Sequence, residues 1–210
     1  MKSQDILILL KLVCLDRQAE NYKENMQLPS KAHVHGWEGW LEGDESVVDL
    51  DSPVLVDAYS SRGLEASTGV SKTEVNASLK RSYNIGMAKI DRKSKLPKAN
   101  VSALLEFIEY GIKYVYPVKP AAIVRGIPTS IAAPVLKGRL MTAGDYIYVW
   151  PDAMGKEKGQ SVAPLYKSVP FAVKKDPHLY ALQALLDAIR MGQSRESEFA
   201  VKTLKKELRA

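Results

Sequence analysis

Gly69 divides two stretches of helical pattern and is the pivot between them. Residues 60–83 read SSRGLEASTGVSKTEVNASLKRSY. A glycine in a tight turn takes the left-handed conformation without a Cβ clash, and Val70 beside it is placed to plug the angle between two helices. Ser71, with Glu74 three residues on, has the spacing of a capping box, in which each side chain satisfies a free backbone N–H. Val75 and Leu79 stand four apart and share a buried face. Lys72, Asn76 and Lys80 form a second row at that spacing, with Thr73 and Arg81 beside it. The stretch predicts two short helices at an angle, the second apolar on one side and cationic on the other.

Lysine and arginine neutralise phosphates and reach guanine edges, and asparagine pairs bidentately with adenine. Such a row suits nucleic acid. It also suits the solvated basic face of an ordinary helical hairpin. Leu64, Ala66, Gly69, Val70, Ser71, Val75 and Leu79 resemble the helix-turn-helix of small bacterial winged-helix regulators of the MarR-like family. Glu65 and Thr68 depart from that pattern, standing where alanine and leucine are usual, and Gly63 costs the first helix about 1 kcal/mol relative to alanine. The resemblance implies a recognition helix over 71–83 in the major groove of double-stranded DNA, with Ser71, Lys72, Thr73, Asn76 and Lys80 toward bases and flanking phosphates. It implies a basic wing over 87–98, where Arg92, Lys93 and Lys95 join Arg81 in holding the DNA backbone. The expected role is a sequence-specific transcriptional repressor acting as a homodimer. The phrase RGIPTSIAAP (125–134) is similar to a stretch in a bacterial group of these proteins, some resembling regulators of toxin–antitoxin-like operons. A second reading follows: an antitoxin-like module that neutralises a partner protein through its C-terminal part and binds DNA only for autoregulation.

Charge supports a polyanion partner. Residues 61–100 carry nine basic and three acidic side chains, a balance of +6, whereas 16–57 carry ten acidic and three basic, a balance of −7. The basic segment is a footprint for a polyanion, with the acidic one facing away. The 210 residues, 46% hydrophobic, suffice for a sizeable core. No apolar run reaches the roughly 18 to 20 residues of a membrane span, and Ile6–Leu10 is too short and wrongly flanked for a signal peptide. The one cysteine, Cys14, lies in an apolar helix and is expected to be buried and inert, as suits the cytoplasm. Motifs for a catalytic serine, a phosphate loop, a zinc protease or a redox dithiol do not occur, so neither enzymatic activity nor a cofactor is expected.

In chain order, 3–18 predicts a helix buried on most of its surface, with Ser3 as N-cap. Residues 19–53 are polar and acidic and read as an insertion, with a short strand near 46–50. His33 and His35 there lack cysteine neighbours and are not expected to hold a metal; Trp37 and Trp40 are expected to pack on the domain, with a partner-binding patch as the alternative. Residues 54–56 begin a helix or form a short strand. Asn100 caps an amphipathic helix to Tyr116, with Leu104, Leu105, Ile108, Ile112 and Val115 apolar and Tyr110, Tyr114 and Tyr116 thickening that side. Residues 117–134, with four prolines, predict ordered loop, where Arg125, Thr129 and Ser130 either bind an anion or serve the loop itself. Residues 145–151 alternate as a strand, 155–160 read as an exposed turn, and 163–173 as irregular chain. Asp176 and Pro177 open a helix that ends at Gly192, with His178 at the surface of its first turn, and Ser194 opens the last. The expected fold is α+β and mostly helical: a winged helix-turn-helix over 1–99, a connecting helix over 100–116, and a mixed part over 117–210 with a short strand, proline-rich loops and two terminal helices. That last part would dimerise, sense a ligand or hold a partner protein.

Overall fold

The computed structural model describes residues 1–25, 40, 55–139, 146–192 and 194–208, and these form an α+β, mostly helical protein. The first helix, α1 (Ser3–Asn25), is the axis. Ile6 through Leu10, Leu12 and Cys14 are each at most 1% exposed, so the helix is apolar nearly all round. It packs on elements from both halves of the chain. Burial pushes the Cys14 thiol well up, which keeps it protonated.

A four-residue helix, α2 (Leu55–Ala58), leads to α3 (Ser61–Thr68) and α4 (Lys72–Asn84). Ser60 caps α3, its hydroxyl accepting from the Gly63 N–H at 3.0 Å. Gly63 is more than a weak helix former: a Cβ there would overlap the Asp57 carbonyl, so glycine lets α2 and α3 approach. A two-stranded antiparallel hairpin follows, β1 (Ala88–Ile90) with β2 (Pro97–Ala99), in the register Ala88↔Ala99 to Ile90↔Pro97. Asn100 then caps α5 (Val101–Glu106), its side chain accepting from the Ala103 N–H. The helix widens into a π turn over Phe107–Gly111 before α6 (Ile112–Val115). Leu104, Leu105, Ile108 and Ile112 are buried as the pattern requires. Val115 is not, since it lies in the last turn as the chain leaves the core, and Tyr110 and Tyr114 point to solvent instead of thickening the apolar side.

The second half differs more from expectation. A strand, β3 (Ile123–Pro128), runs through the proline-rich stretch. It pairs antiparallel with β4 (Tyr148–Pro151) through Gly126↔Pro151 to Pro128↔Val149, and with β5 (Glu157–Ser161) through Ile123↔Gln160 to Gly126↔Glu157. β4 and β5 pair in parallel at Tyr148↔Gln160 and Val149↔Ser161, closing a three-stranded barrel. The polar segment expected as a turn is thus a strand, held by backbone pairing and not by an apolar face. The segment expected to be irregular contributes α7 (Val169–Lys175). Asp176 caps α8 (Pro177–Met191) as expected, accepting from the His178 and Leu179 N–H groups, and α9 (Ser194–Glu207) closes the chain.

Buried polar groups tie these layers. Lys11 on α1 bonds Asp176 at 2.7 Å with both side chains under 10% exposed. The Asp187 carboxylate on α8 accepts from Thr129 (2.9 Å), Trp150 Nε1 (2.6 Å) and Arg190 (2.7 Å), and the Arg190 Nε donates to the Tyr116 carbonyl. Burial pushes the Asp187 carboxyl up, and those three donors oppose it. Thr129 and Ser130 are therefore interior residues, and do not converge with exposed Arg125 on an anion. Trp40 bridges to Gly155 and meets the Tyr180 ring edge-on at 5.9 Å, as expected of a packing indole. His33, His35, Trp37 and the strand expected near 46–50 lie outside the described residues. One contiguous apolar core joins α1, α3, α4 and α5 to β4, α7, α8 and α9.

Candidate nucleic-acid interface

Gly69 sits at φ 68° and ψ 13°, in the left-handed region, and its N–H donates to the Glu65 carbonyl at 2.8 Å. Val70 is fully buried, as a plug between two helices must be. Thr68, in the leucine position of the pattern, is buried too. Its hydroxyl donates to the Leu64 carbonyl and accepts from the Val70 N–H, so a polar side chain serves the turn by bonding its backbone.

The capping box does not form. Ser71 is the N-cap of α4 by position, but its side chain makes no capping bond. Glu74 turns instead toward α1, accepting from Gln4 Nε2 at 2.8 Å with Lys2 at 3.9 Å. The Gln4 hydrogen bond and the Lys2 charge hold the Glu74 carboxyl below its ordinary value. Arg81 belongs to the same junction. Its Nε and Nη2 fork onto the Asp5 carboxylate at 3.1 and 2.7 Å, and Glu74 lies 3.6 Å away. Asp5 is fully buried; burial pushes its carboxyl up, but Arg81 and the Lys2 N–H outweigh this and leave it low. Arg81 is therefore a strut between α4 and α1, not the backbone contact expected of it.

With those two side chains turned inward, α4 presents Ser71, Lys72, Thr73, Asn76 and Lys80, all exposed. Neither lysine has an ion-pair partner among the described residues. The Asn76 Oδ1 accepts from the Ser61 hydroxyl, which orients the carboxamide and leaves its NH2 without a partner among the described residues. Arg62, the residue after Ser61 at the start of α3, is also exposed. In the sequence Arg62 counts only toward the charge balance of 61–100, because no spacing rule connects it to α4.

The hairpin supplies a second cationic group. Asp91 organises its tip, accepting from the backbone N–H of Lys93 (3.0 Å) and Ser94 (2.8 Å) and from the Ser94 hydroxyl (3.0 Å). Those donors, the Ser94 N–H first, hold the Asp91 carboxyl below its usual range. Lys95 takes φ 61° to complete the turn. Arg92, Lys93 and Lys95 fan outward, exposed, with no ion-pair partner among the described residues. Lys98 at the hairpin base is spent on Asp16 of α1, 3.7 Å away.

Among the described residues no group of histidine, cysteine and carboxylate side chains is disposed to hold a metal. His178 is half-buried, its Nε2 2.7 Å from Arg17 Nη1 and 3.5 Å from Glu207. Hydrogen bonds from His178 and Arg17 hold the Glu207 carboxyl down to about 2. Among the described residues no helix is long and apolar enough to cross a membrane. No protein-family profile, curated protein or solved structure matches the chain.

Proposed function

We propose that this chain is a sequence-specific double-stranded-DNA-binding regulator of the winged-helix kind. α4 enters the major groove with Lys72, Thr73, Asn76 and Lys80 toward bases and flanking phosphates, and the hairpin tip lies on the backbone. It acts in the cytoplasm as a homodimeric repressor. The observation that carries this reading is the division of charge on one short element. α4 commits Glu74 and Arg81 to the scaffold and leaves a cation–carboxamide–cation row facing solvent, its two lysines without ion-pair partners among the described residues and the Asn76 carboxamide oriented by Ser61.

Selection from a pool of random duplexes, followed by anisotropy titration, tests it. A defined site is enriched, and Asn76→Ala weakens binding to that site by about 1–3 kcal/mol while relaxing preference at one base pair. Absence of any enriched site overturns the reading.

The antitoxin-like alternative, expected to act through the C-terminal part over 117–210, draws instead on an exposed surface of the connecting helix that precedes it. Tyr110 and Tyr114, 68% and 73% exposed, stand with exposed Val115 beside the π turn. Exposed tyrosines grouped with an aliphatic side chain are typical of protein contacts. On that reading a co-purifying protein remains bound to Asn76→Ala and is lost from Tyr110→Ala/Tyr114→Ala.

A further inference from the structure

The turn between α3 and α4 is held by more than its own two helices. An eight-residue helix leaves its last carbonyls without intrahelical donors. Two of them are met from the other half of the chain. Ser168 Oγ donates to the Thr68 carbonyl at 2.6 Å, and Lys175 Nζ donates to the Ala66 carbonyl at 3.1 Å. The Lys175 ammonium also sits 4.1 Å above the Phe171 ring, a cation–π contact that fixes both side chains. The fit at the pivot is tight: a Cβ on Gly69 would come within 3.0 Å of both Phe171 Cδ1 and Ser168 Cβ.

α7 is itself anchored at its far end. Lys174 bonds Asp152, just beyond β4, at 3.0 and 2.8 Å to the two carboxylate oxygens. Asp176, the next residue past the helix, caps α8 and pairs with Lys11 of α1. A rigid strut thus runs from the barrel and α8 to the hinge residue of the helix pair. Helices of two turns owe their stability to tertiary contacts, so this strut decides where α3 stops and at what angle α4 begins.

We propose that Ser168, Phe171 and Lys175 are positioning residues for α4, setting DNA affinity from the C-terminal half without touching DNA. The proposal rests on the DNA-binding reading above. Its test uses the full chain carrying Ser168→Ala/Lys175→Ala, with Lys175→Arg as the conservative variant, and two readouts. Without DNA, the backbone amide resonances of Val70 to Asn76 shift in the double variant and return toward the parent in Lys175→Arg. With the selected duplex, affinity falls about fivefold or more, a typical coupling between sites, while the dependence of log K on log salt keeps its slope because no phosphate contact is lost. Unshifted amides overturn the positioning role whether or not the parent binds DNA. So does a salt slope that drops by about 0.9 for the lost lysine, which would make Lys175 a direct phosphate contact. Failure of the parent to bind any duplex, with shifted amides, sinks the DNA reading and leaves the strut intact.

Discussion

Lys80 and Arg81 are neighbours in sequence and opposite in fate. Helical spacing turns consecutive residues about 100° apart, so Lys80 faces solvent while Arg81 meets Asp5 on α1. Spacing alone put Arg81 beside the cationic row, and its partner lies 76 positions away, beyond the reach of any local rule. Glu74 departs from its local pattern for the same reason: S-x-x-E is a short-range signal, and Gln4 of α1 supplies the donor instead. Where a residue's role is local, the sequence was legible. Gly69, Val70, Asn100 and Asp176 do what their neighbours implied. The Lys11–Asp176 pair is costly to break, because removing Lys11 leaves a buried carboxylate whose remaining donors are the His178 and Leu179 N–H groups. Lys11→Ala is expected to lower stability in urea unfolding by about 3–5 kcal/mol. A loss below about 1 kcal/mol would mean that the pair is better hydrated than its burial indicates.

At the scale of elements, the long helices were readable and the barrel was not. α1, α4 and α8 each carry an apolar stripe or run that survives any tertiary context. β5, with its sequence EKGQS, has no apolar alternation, because its strand character comes from pairing with β3 and β4. β3 was hidden by the prolines of 117–134, of which Pro128 alone lies in the strand and ends it. α7 is a seven-residue helix with a proline in its first turn, too short for periodicity to register. A hairpin stands where the resemblance implied a basic wing over 87–98, and its energetic role is separable from that of α4. Arg92→Ala/Lys93→Ala/Lys95→Ala is expected to weaken DNA binding for all sequences alike and to lower the salt slope by roughly 2–3, about 0.9 for each lost phosphate contact. A triple variant with the parent's slope would detach the hairpin from the backbone.

At the scale of the molecule, the boundary drawn near residue 100 divides the sequence but not the core. α1 begins the chain and packs on both α4 and α8, near opposite ends of it. Lys11–Asp176, Ser168–Thr68 and Lys175–Ala66 cross the boundary by hydrogen bonds. Thermal unfolding followed by far- and near-ultraviolet dichroism is therefore expected to show one coincident transition. Two separated transitions would mean that the halves hold together only weakly.

The claim on which the functional reading turns is that the outward row of α4 contacts DNA bases. Anisotropy titration of the selected duplex with the parent, Lys72→Ala and Asn76→Ala measures this most directly. The expected result is tight, salt-sensitive binding by the parent, with at least a fivefold loss in each variant and relaxed base preference only for Asn76→Ala. Equal binding by all three proteins would contradict it.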